Sequence, residues 1–212
     1  ISWRPIPTGD GQRLSLRAQS NGLFFQSYNF SFTEPWLGGK KPNSLSFSVW
    51  RSIQSNGQPR MIDGVVNEAR QSLVITGAQL GLGQRWKKPD DWFVFQASLS
   101  YQHFNLDDFG SFFSFSKGRS NNLALTAVVG RNSVSDPIFP VGGSNVEVSV
   151  KATPPYSMFR PEGFYTNDDG TPVDDQTRFR WVEYHKWKVK AEWYTPLTQS
   201  GGENPRSLVL RT

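Results

Sequence analysis

The sequence has no cysteine among its 212 residues, which excludes disulfide bonds and metal sites with thiolate ligands. It also lacks any run of roughly 18 apolar residues, so we predict no transmembrane helix. The opening residues, from Ile1 to Pro5, do not combine a charged segment with an apolar one. We therefore expect no secretory signal peptide there.

Long runs of one charge are absent as well. The chain has 23 Lys and Arg against 18 Asp and Glu, a net charge of +5, without a basic cluster along the sequence. We therefore predict no nucleic-acid partner. Apolar residues make up only 36%, yet aromatic residues reach 14%. This composition fits a β protein whose strands are apolar on one face only, or a loop-rich chain, which regular alternation would argue against.

Two runs of alternating apolar and polar residues, at 28–33 and 44–50, flank a turn. A period of two residues is typical of β-strands, because successive side chains point to opposite faces. Between the runs stand residues that fit a turn and not the interior of a strand: Pro35, Gly38, Gly39 and Pro42. This stretch predicts a β-hairpin.

The same alternation recurs along the whole chain. It predicts strands at 13–20, 24–33, 44–53, 72–84, 92–103, 122–131, 145–152 and 183–195, and the start of a ninth at 207–212. Long loops are predicted at 54–70, 104–120 and 153–180, whereas Asn21-Gly22 is a strong signal for a tight hairpin. Glycines at 77, 81 and 83 lie on the polar face of the fourth strand, where they would bend it or admit close packing.

The predicted fold class is all-β: an antiparallel transmembrane β-barrel, here an incomplete one of about eight to nine meandering strands, since bacterial barrels normally use an even number. Several strands have about 9–12 residues, the length that crosses a bilayer at a tilt. Compact turns also tend to alternate with long loops, with Asn21-Gly22 as the exception, and this is typical of outer-membrane barrels.

Alternation divides the strand residues between two faces. The apolar set is predicted to face lipid: Tyr28, Phe30, Phe32, Leu45, Phe47, Val49, Phe93, Phe95, Leu99, Leu123, Leu125, Val146, Val148, Trp187, Val189 and Trp193. The charged set is predicted to face the lumen: Arg13, Arg17, Glu147, Lys151, Lys186, Lys188, Lys190 and Glu192. The reason is energetic, because a lysine on the lipid face costs about 2–4 kcal/mol at the bilayer midplane.

A transmembrane barrel and a soluble β-sandwich produce the same alternation, so the alternation alone does not distinguish them. The positions of the tryptophans provide a second criterion. Most lie at or near predicted strand ends, where a bilayer interface would hold them: Trp36, Trp50, Trp86, Trp92, Trp181 and Trp187. The alternative makes them core anchors of a soluble sheet.

No catalytic, metal or cofactor site is predicted. His103 lies near Asp107 and Asp108, and His185 follows Tyr184, but nothing in the spacing selects a nucleophile, so we expect no enzyme. The acidic residues Asp168, Asp169, Asp174 and Asp175 lack the closing Glu of a calcium loop, which favours a solvated loop. A phenylalanine-rich segment is either a partner surface or internal packing of a lid: Phe104, Phe109, Phe112, Phe113 and Phe115.

Four segments in order along the chain, residues 3–13, 31–40, 136–144 and 184–197, resemble the BamA family of outer-membrane assembly factors, in its Bacteroidetes type. The second contains Glu-Pro-Trp-Leu-Gly-Gly and the third Asp-Pro-Ile-Phe-Pro-Val-Gly-Gly-Ser. The resemblance implies that these are periplasmic turns, with motif residues Glu34, Pro35, Trp36, Gly38, Gly39, Asp136, Pro137, Phe139, Pro140 and Gly143.

The resemblance implies a sixteen-stranded barrel preceded by POTRA domains, of which residues 1–212 form part of one barrel domain, from about the third strand to the start of the eleventh. The POTRA domains, the outermost strands and the family's V-R-G-F motif are expected to be absent from this chain; Val129-Gly130-Arg131 and Phe159-Arg160 do not match that motif.

The implied function is folding and insertion of nascent β-barrel proteins in the bacterial outer membrane. The implied partners are outer-membrane lipid, nascent barrel proteins and other subunits of an assembly complex, without a cofactor. A passive channel or transporter barrel, and a soluble β-sandwich binding module, are the alternatives.

Overall fold

The computed structural model describes residues 11–39, 43–110, 114–167, 169–197 and 209–211. Nine strands in this part of the chain form one sheet: β1 Arg13–Asn21, β2 Phe25–Glu34, β3 Asn43–Ser55, β4 Ser72–Arg85, β5 Phe93–Asp107, β6 Gly118–Asn132, β7 Gly143–Ala152, β8 His185–Pro196 and β9 Val209–Arg211. The loops contain a small hairpin with strands of two residues each, Met61–Ile62 and Val65–Val66. They also contain a short helix α1, Asp175–Arg178, and two single 3-10 turns.

The strands lie in the sheet in the order in which they occur in the sequence, and each is antiparallel to the next. Strands β1 and β9 form the edges, and the described part of the sheet is not closed. No described helix is long and apolar enough to cross a membrane. The all-β antiparallel prediction is confirmed, with an incomplete barrel wall as the architecture.

The predicted strands are all present, but two of them are longer than predicted. Strand β5 extends further at its C-terminal end, and β6 extends further at its N-terminal end. The loop predicted at 104–120 is confined to 108–117, because β5 continues to Asp107 and β6 begins at Gly118. This extension brings Leu106 against Leu73 of β4, and these side chains are only 2% and 5% exposed. Burial of this pair stabilises strand pairing where the sequence pattern alone suggested a loop.

Some predicted features lie outside the described residues. They are the opening segment 3–10, Lys40 to Pro42 of the first turn, Phe112 and Phe113, Asp168, and most of the link between β8 and β9. The tight turn at Asn21-Gly22 is present, with Gly22 at φ 56° and the Phe24 amide donating to the Asn21 carbonyl at 3.2 Å.

The segment between β7 and β8 packs against the N-terminal half of β6. Pairing of β6 with β7 ends at Leu125 and Ala152, so the backbone of β6 beyond that point needs another partner. The Asn121 amide donates to the Arg180 carbonyl at 2.8 Å, and the Val182 amide donates to the Asn121 carbonyl at 2.9 Å. The returning chain thereby supplies the missing edge partner for β6.

Candidate functional site

The sheet has one apolar face and one polar face, and the strand register defines both. A central row of the apolar face runs across six strands: Leu14, Phe32, Phe47, Leu80, Leu99 and Leu125. Every residue predicted to face lipid lies on this face, and every residue predicted to face the lumen lies on the opposite face. Which environment meets each face stays a prediction from this pattern.

The apolar face is exposed across the sheet. Leu125 is 57% exposed and Val189 is 69% exposed, although both lie in the middle of their strands. A soluble protein rarely leaves so continuous an apolar surface uncovered. The face therefore fits a surface that contacts lipid.

The two faces exchange character toward the end of the sheet that carries the long loops, which we call the long-loop rim. Above the row of Tyr101, the apolar face continues as a polar row of Arg51, Thr76, His103 and Asn121. On the opposite face, three residues closer to this rim, the buried pair Leu73 and Leu106 replaces the polar residues found near the middle of the strands.

This exchange limits the apolar band. Along β5 the band runs from Phe93 to Tyr101, about nine residues, which is the length a tilted strand needs to cross the hydrocarbon core. In a soluble sandwich, one face would be expected to meet the core along the whole strand. A band of this height favours the barrel over the sandwich.

Small residues shape the polar face. A Cβ on Gly77 would lie 2.4 Å from Cζ2 of Trp50, so the indole occupies the space above this glycine. The hydroxyls of Ser46 and Ser44 approach Gly81 and Gly83 in the same way, since a Cβ on either glycine would lie 2.5 Å from the facing hydroxyl oxygen. These glycines admit close packing, which is one of the two roles predicted for them.

The predicted interface role of Trp50 is wrong. This side chain lies on the polar face in the interior of β3, where it packs over Gly77. Trp36, Trp86 and Trp92 instead stand next to the short turns, 37%, 37% and 49% exposed. The indole of Trp86 stacks on the ring of Phe95 with centroids 5.4 Å apart, which places it at the lower border of the apolar band.

The turn after β2 is organised by Glu34, a motif residue. Glu34 is only 5% exposed, and its carboxylate accepts a hydrogen bond from the Trp36 amide at 3.0 Å and another from the side chain of Gln12. Gly38 and Gly39 have φ of 72° and 69°, a region that favours glycine. The predicted turn thus has a conformational requirement for both glycines.

The turn after β6 is organised by Asp136. Its Oδ1 accepts hydrogen bonds from the amides of Phe139 and Ile138, at 2.8 and 2.7 Å. Accepting these bonds, that from Phe139 first, lowers the pKa of the Asp136 carboxyl below its ordinary value. The side chain of Ser135 closes the other half of the turn by accepting from the amides of Val141 and Gly142.

We expect Asp136→Ala to loosen this turn at neutral pH. Because the folded-state pKa is lowered, the stabilisation by the ionised Asp136 is present at neutral pH and is lost as the pH falls through that lowered pKa. Hydrogen exchange of the Ile138 and Phe139 amides, corrected for intrinsic rates, should show falling protection in acid. Asp136→Asn is the control, since its amide oxygen can accept the same bonds without titrating. The same pH dependence in the Asn variant would contradict the assignment.

The candidate catalytic and calcium residues that the structure describes do not come together. Nδ1 of His103 lies 2.8 Å from Oδ1 of Asn121, which also accepts from the hydroxyl of Tyr101. Oδ1 of Asp169 accepts from the amide and hydroxyl of Thr171, and Asp174 accepts from the Thr177 amide at the start of α1. Within the described ranges, no three His, Asp or Glu residues are grouped so as to hold a metal ion.

An antiparallel meander with an exposed apolar band, a polar opposite face and long loops at one rim defines the wall of an outer-membrane β-barrel. Residues 8–211 match the Omp85 superfamily domain, and the chain belongs to this superfamily.

The fold is similar to the crystal structure of BamA from Haemophilus ducreyi lacking POTRA domains 1–3, with a TM-score of 0.53 and 19% sequence identity. The similarity covers 90% of this chain and 33% of that chain, so the present chain spans about a third of the length of that structure. Comparison with curated proteins gives no significant match. The resemblance to a BamA-type barrel is confirmed for the superfamily and the fold, and the superfamily implies the bacterial outer membrane as the location.

Proposed function

We propose that residues 1–212 are part of the barrel domain of an insertase that folds and inserts nascent β-barrel proteins into the bacterial outer membrane. The observation that supports this most directly is the match of residues 8–211 to the Omp85 superfamily domain. The sheet is also similar to a BamA barrel over 90% of the chain, and this is the fold that the four sequence segments predict. The proposed partners are nascent barrel proteins, outer-membrane lipid and further subunits of an assembly complex.

The physical task of such a protein is to lower the cost of placing strands in lipid before their backbone groups are paired. An exposed strand edge can do this by pairing with an incoming strand. We assign no residue of this chain to that edge. The described strands supply the supporting wall, whose apolar band anchors the barrel.

The interior face of this wall is open over its middle. Serines and glycines line it between β3 and β5, namely Ser44, Ser46, Gly81, Gly83 and Ser98, and they surround a cleft of about 200 Å³. Lys151 and Lys186 face each other on the same side of β7 and β8. A polar interior face also suits a passive channel or transporter, which is the competing function.

Depletion of the intact protein in its own bacterium tests the proposal. We expect unrelated outer-membrane barrels to lose their folded form, measured as the loss of gel bands that shift on heating. Re-expression of the wild-type protein is the control and should restore those bands. If unrelated barrels stay folded while the purified protein conducts ions in planar bilayers, the channel function replaces the insertase.

A further inference from the structure

Five basic side chains line one cleft at the long-loop rim, directly above the apolar band. They are Arg51, Arg60, Arg70, Lys117 and Arg119, around a cleft of about 900 Å³. They come from β3, from the loop before β4, from the end of the loop between β5 and β6, and from the start of β6. Among the described residues that line the same cleft, Asp107 is the one carboxylate.

Most of this positive charge is not neutralised within the described part of the chain. Lys117 lies 3.8 Å from Asp107, with both side chains largely exposed, so that pair is weak. The four arginines form no ion pair with any described residue. Moreover, Nε of Arg70 is buried and has no hydrogen-bond partner among the described residues. A buried donor without an acceptor is costly. Because the arginines are not paired within the described residues, the cleft favours an anionic ligand from outside the chain.

An apolar groove continues downward from the cleft along the lipid-facing side. It has a volume of about 570 Å³ and its apolar side chains are Leu16, Tyr28, Phe30 and Val49. Arg51 lines both the groove and the basic cleft. The strand register places Arg51 beside Tyr28 and Thr76, one row above the end of the apolar band.

We propose that the cleft and groove together bind a phosphate-bearing lipid of the outer leaflet. The apolar groove takes an acyl chain, and the basic cleft takes the phosphates of the headgroup. Arginine suits this role because its planar guanidinium donates two parallel hydrogen bonds to a phosphate. The long-loop rim of an outer-membrane barrel faces the outside of the cell, so the lipid comes from the outer leaflet.

The position of the charge favours a lipid over a soluble anion. A free phosphate would occupy the cleft alone. A lipid whose headgroup occupies the cleft would also bury its acyl chain in the adjoining groove, and this burial adds to the binding free energy. The inference rests on the barrel wall and its orientation and does not depend on the insertase activity. A failure of the depletion experiment above would therefore leave it standing.

Native mass spectrometry of the intact protein in uncharged detergent tests the proposal with three probes: bisphosphorylated lipid A, the same glycolipid without phosphates, and inorganic pyrophosphate. We expect a one-to-one adduct with lipid A, and weak or no adducts with the other two. Arg51→Gln combined with Arg119→Gln should weaken lipid A binding about tenfold or more, since hydrogen bonds to charged groups are removed.

Lys186→Gln combined with Lys188→Gln is the matched control, because it removes two cations from the opposite face, on β8, and neither residue lines the cleft or the groove. This control should bind lipid A like the wild type, and all variants should keep the heat-dependent gel shift of a folded barrel. Wild-type affinity in the Arg51/Arg119 variant, or an equal loss in the control, would overturn the site. Pyrophosphate binding as tight as lipid A would identify a soluble anion as the occupant and would overturn the lipid.

Discussion

Leu125→Arg should prevent stable insertion of the intact protein, whereas Thr126→Arg, one residue further on, should leave most of it inserted. Leu125 lies in the central row of the apolar face beside Leu99 and is 57% exposed. An arginine at the bilayer midplane costs about 2–4 kcal/mol. That is a large share of the about 5–15 kcal/mol that separates folded from unfolded states in typical proteins.

Thr126 is the matched control because it has the same strand, depth and neighbours in sequence. Its side chain shares the polar face with Ser98 and Lys151, where an added arginine meets a wet interior instead of lipid. The measurement is the folded, heat-shifted fraction in isolated outer membranes, together with urea unfolding in vesicles. Similar losses for the two variants would mean that the faces are assigned to the wrong environments.

The division into faces could be predicted from the sequence because a strand has a period of two residues. Leu45, Phe47 and Val49 alternate with serines, and that pattern holds whatever the partner strands are. The alternation does not report depth. The side chains of Arg51 and Ile53 continue on the same face of β3, although the apolar band ends at Val49.

Tertiary packing explains the two features that the sequence did not predict. Strands β5 and β6 extend because Leu106 is buried against Leu73, a residue more than thirty positions earlier. Trp50 lies over Gly77 because the register pairs these two positions across β3 and β4. Neither partner is recognisable before the register is known.

The basic cleft was also beyond sequence reasoning. Its cations are scattered from position 51 to position 119, and no run of basic residues marks them. They meet because four strands align in register and the loop before β4 folds back over their ends. The only signal in the sequence is indirect. Counting every second residue along each strand places Arg51 and Arg119 on the same face as the lipid-facing residues, where a charged side chain requires an explanation.

Gly143→Ala should destabilise the turn between β6 and β7 by about 3 kcal/mol or more, because it combines backbone strain with a backbone clash. Gly143 has φ of +111°, which L-residues rarely adopt. A Cβ there would lie 2.3 Å from the carbonyl oxygen of Ser133 and 2.9 Å from Cα of Val134. Since these atoms belong to the backbone, no change of rotamer relieves the contact.

The clash would act on the hydrogen bonds that close the turn. The Ser133 amide donates to the Ser144 carbonyl at 2.8 Å, and Arg131 holds the hydroxyls of Ser133 and Ser144 while it pairs with Asp90 at 2.9 Å. Moving Ser133 away from position 143 breaks this network at the edge of the apolar band. The effect should therefore appear as a lower midpoint in urea unfolding of the vesicle-inserted protein, followed by tryptophan fluorescence.

Gly142→Ala is the control in the adjacent position. A Cβ on Gly142 would have its nearest neighbours at 3.8 Å, in Pro196 and Tyr194, and its φ lies outside the left-handed region. This variant should change the free energy of unfolding by no more than about 0.5 kcal/mol. Equal shifts of the unfolding midpoint in the two variants would show that replacing either glycine has the same effect on the turn. Contact with the Ser133 carbonyl would then not be the cause of the destabilisation, because that contact exists only at Gly143.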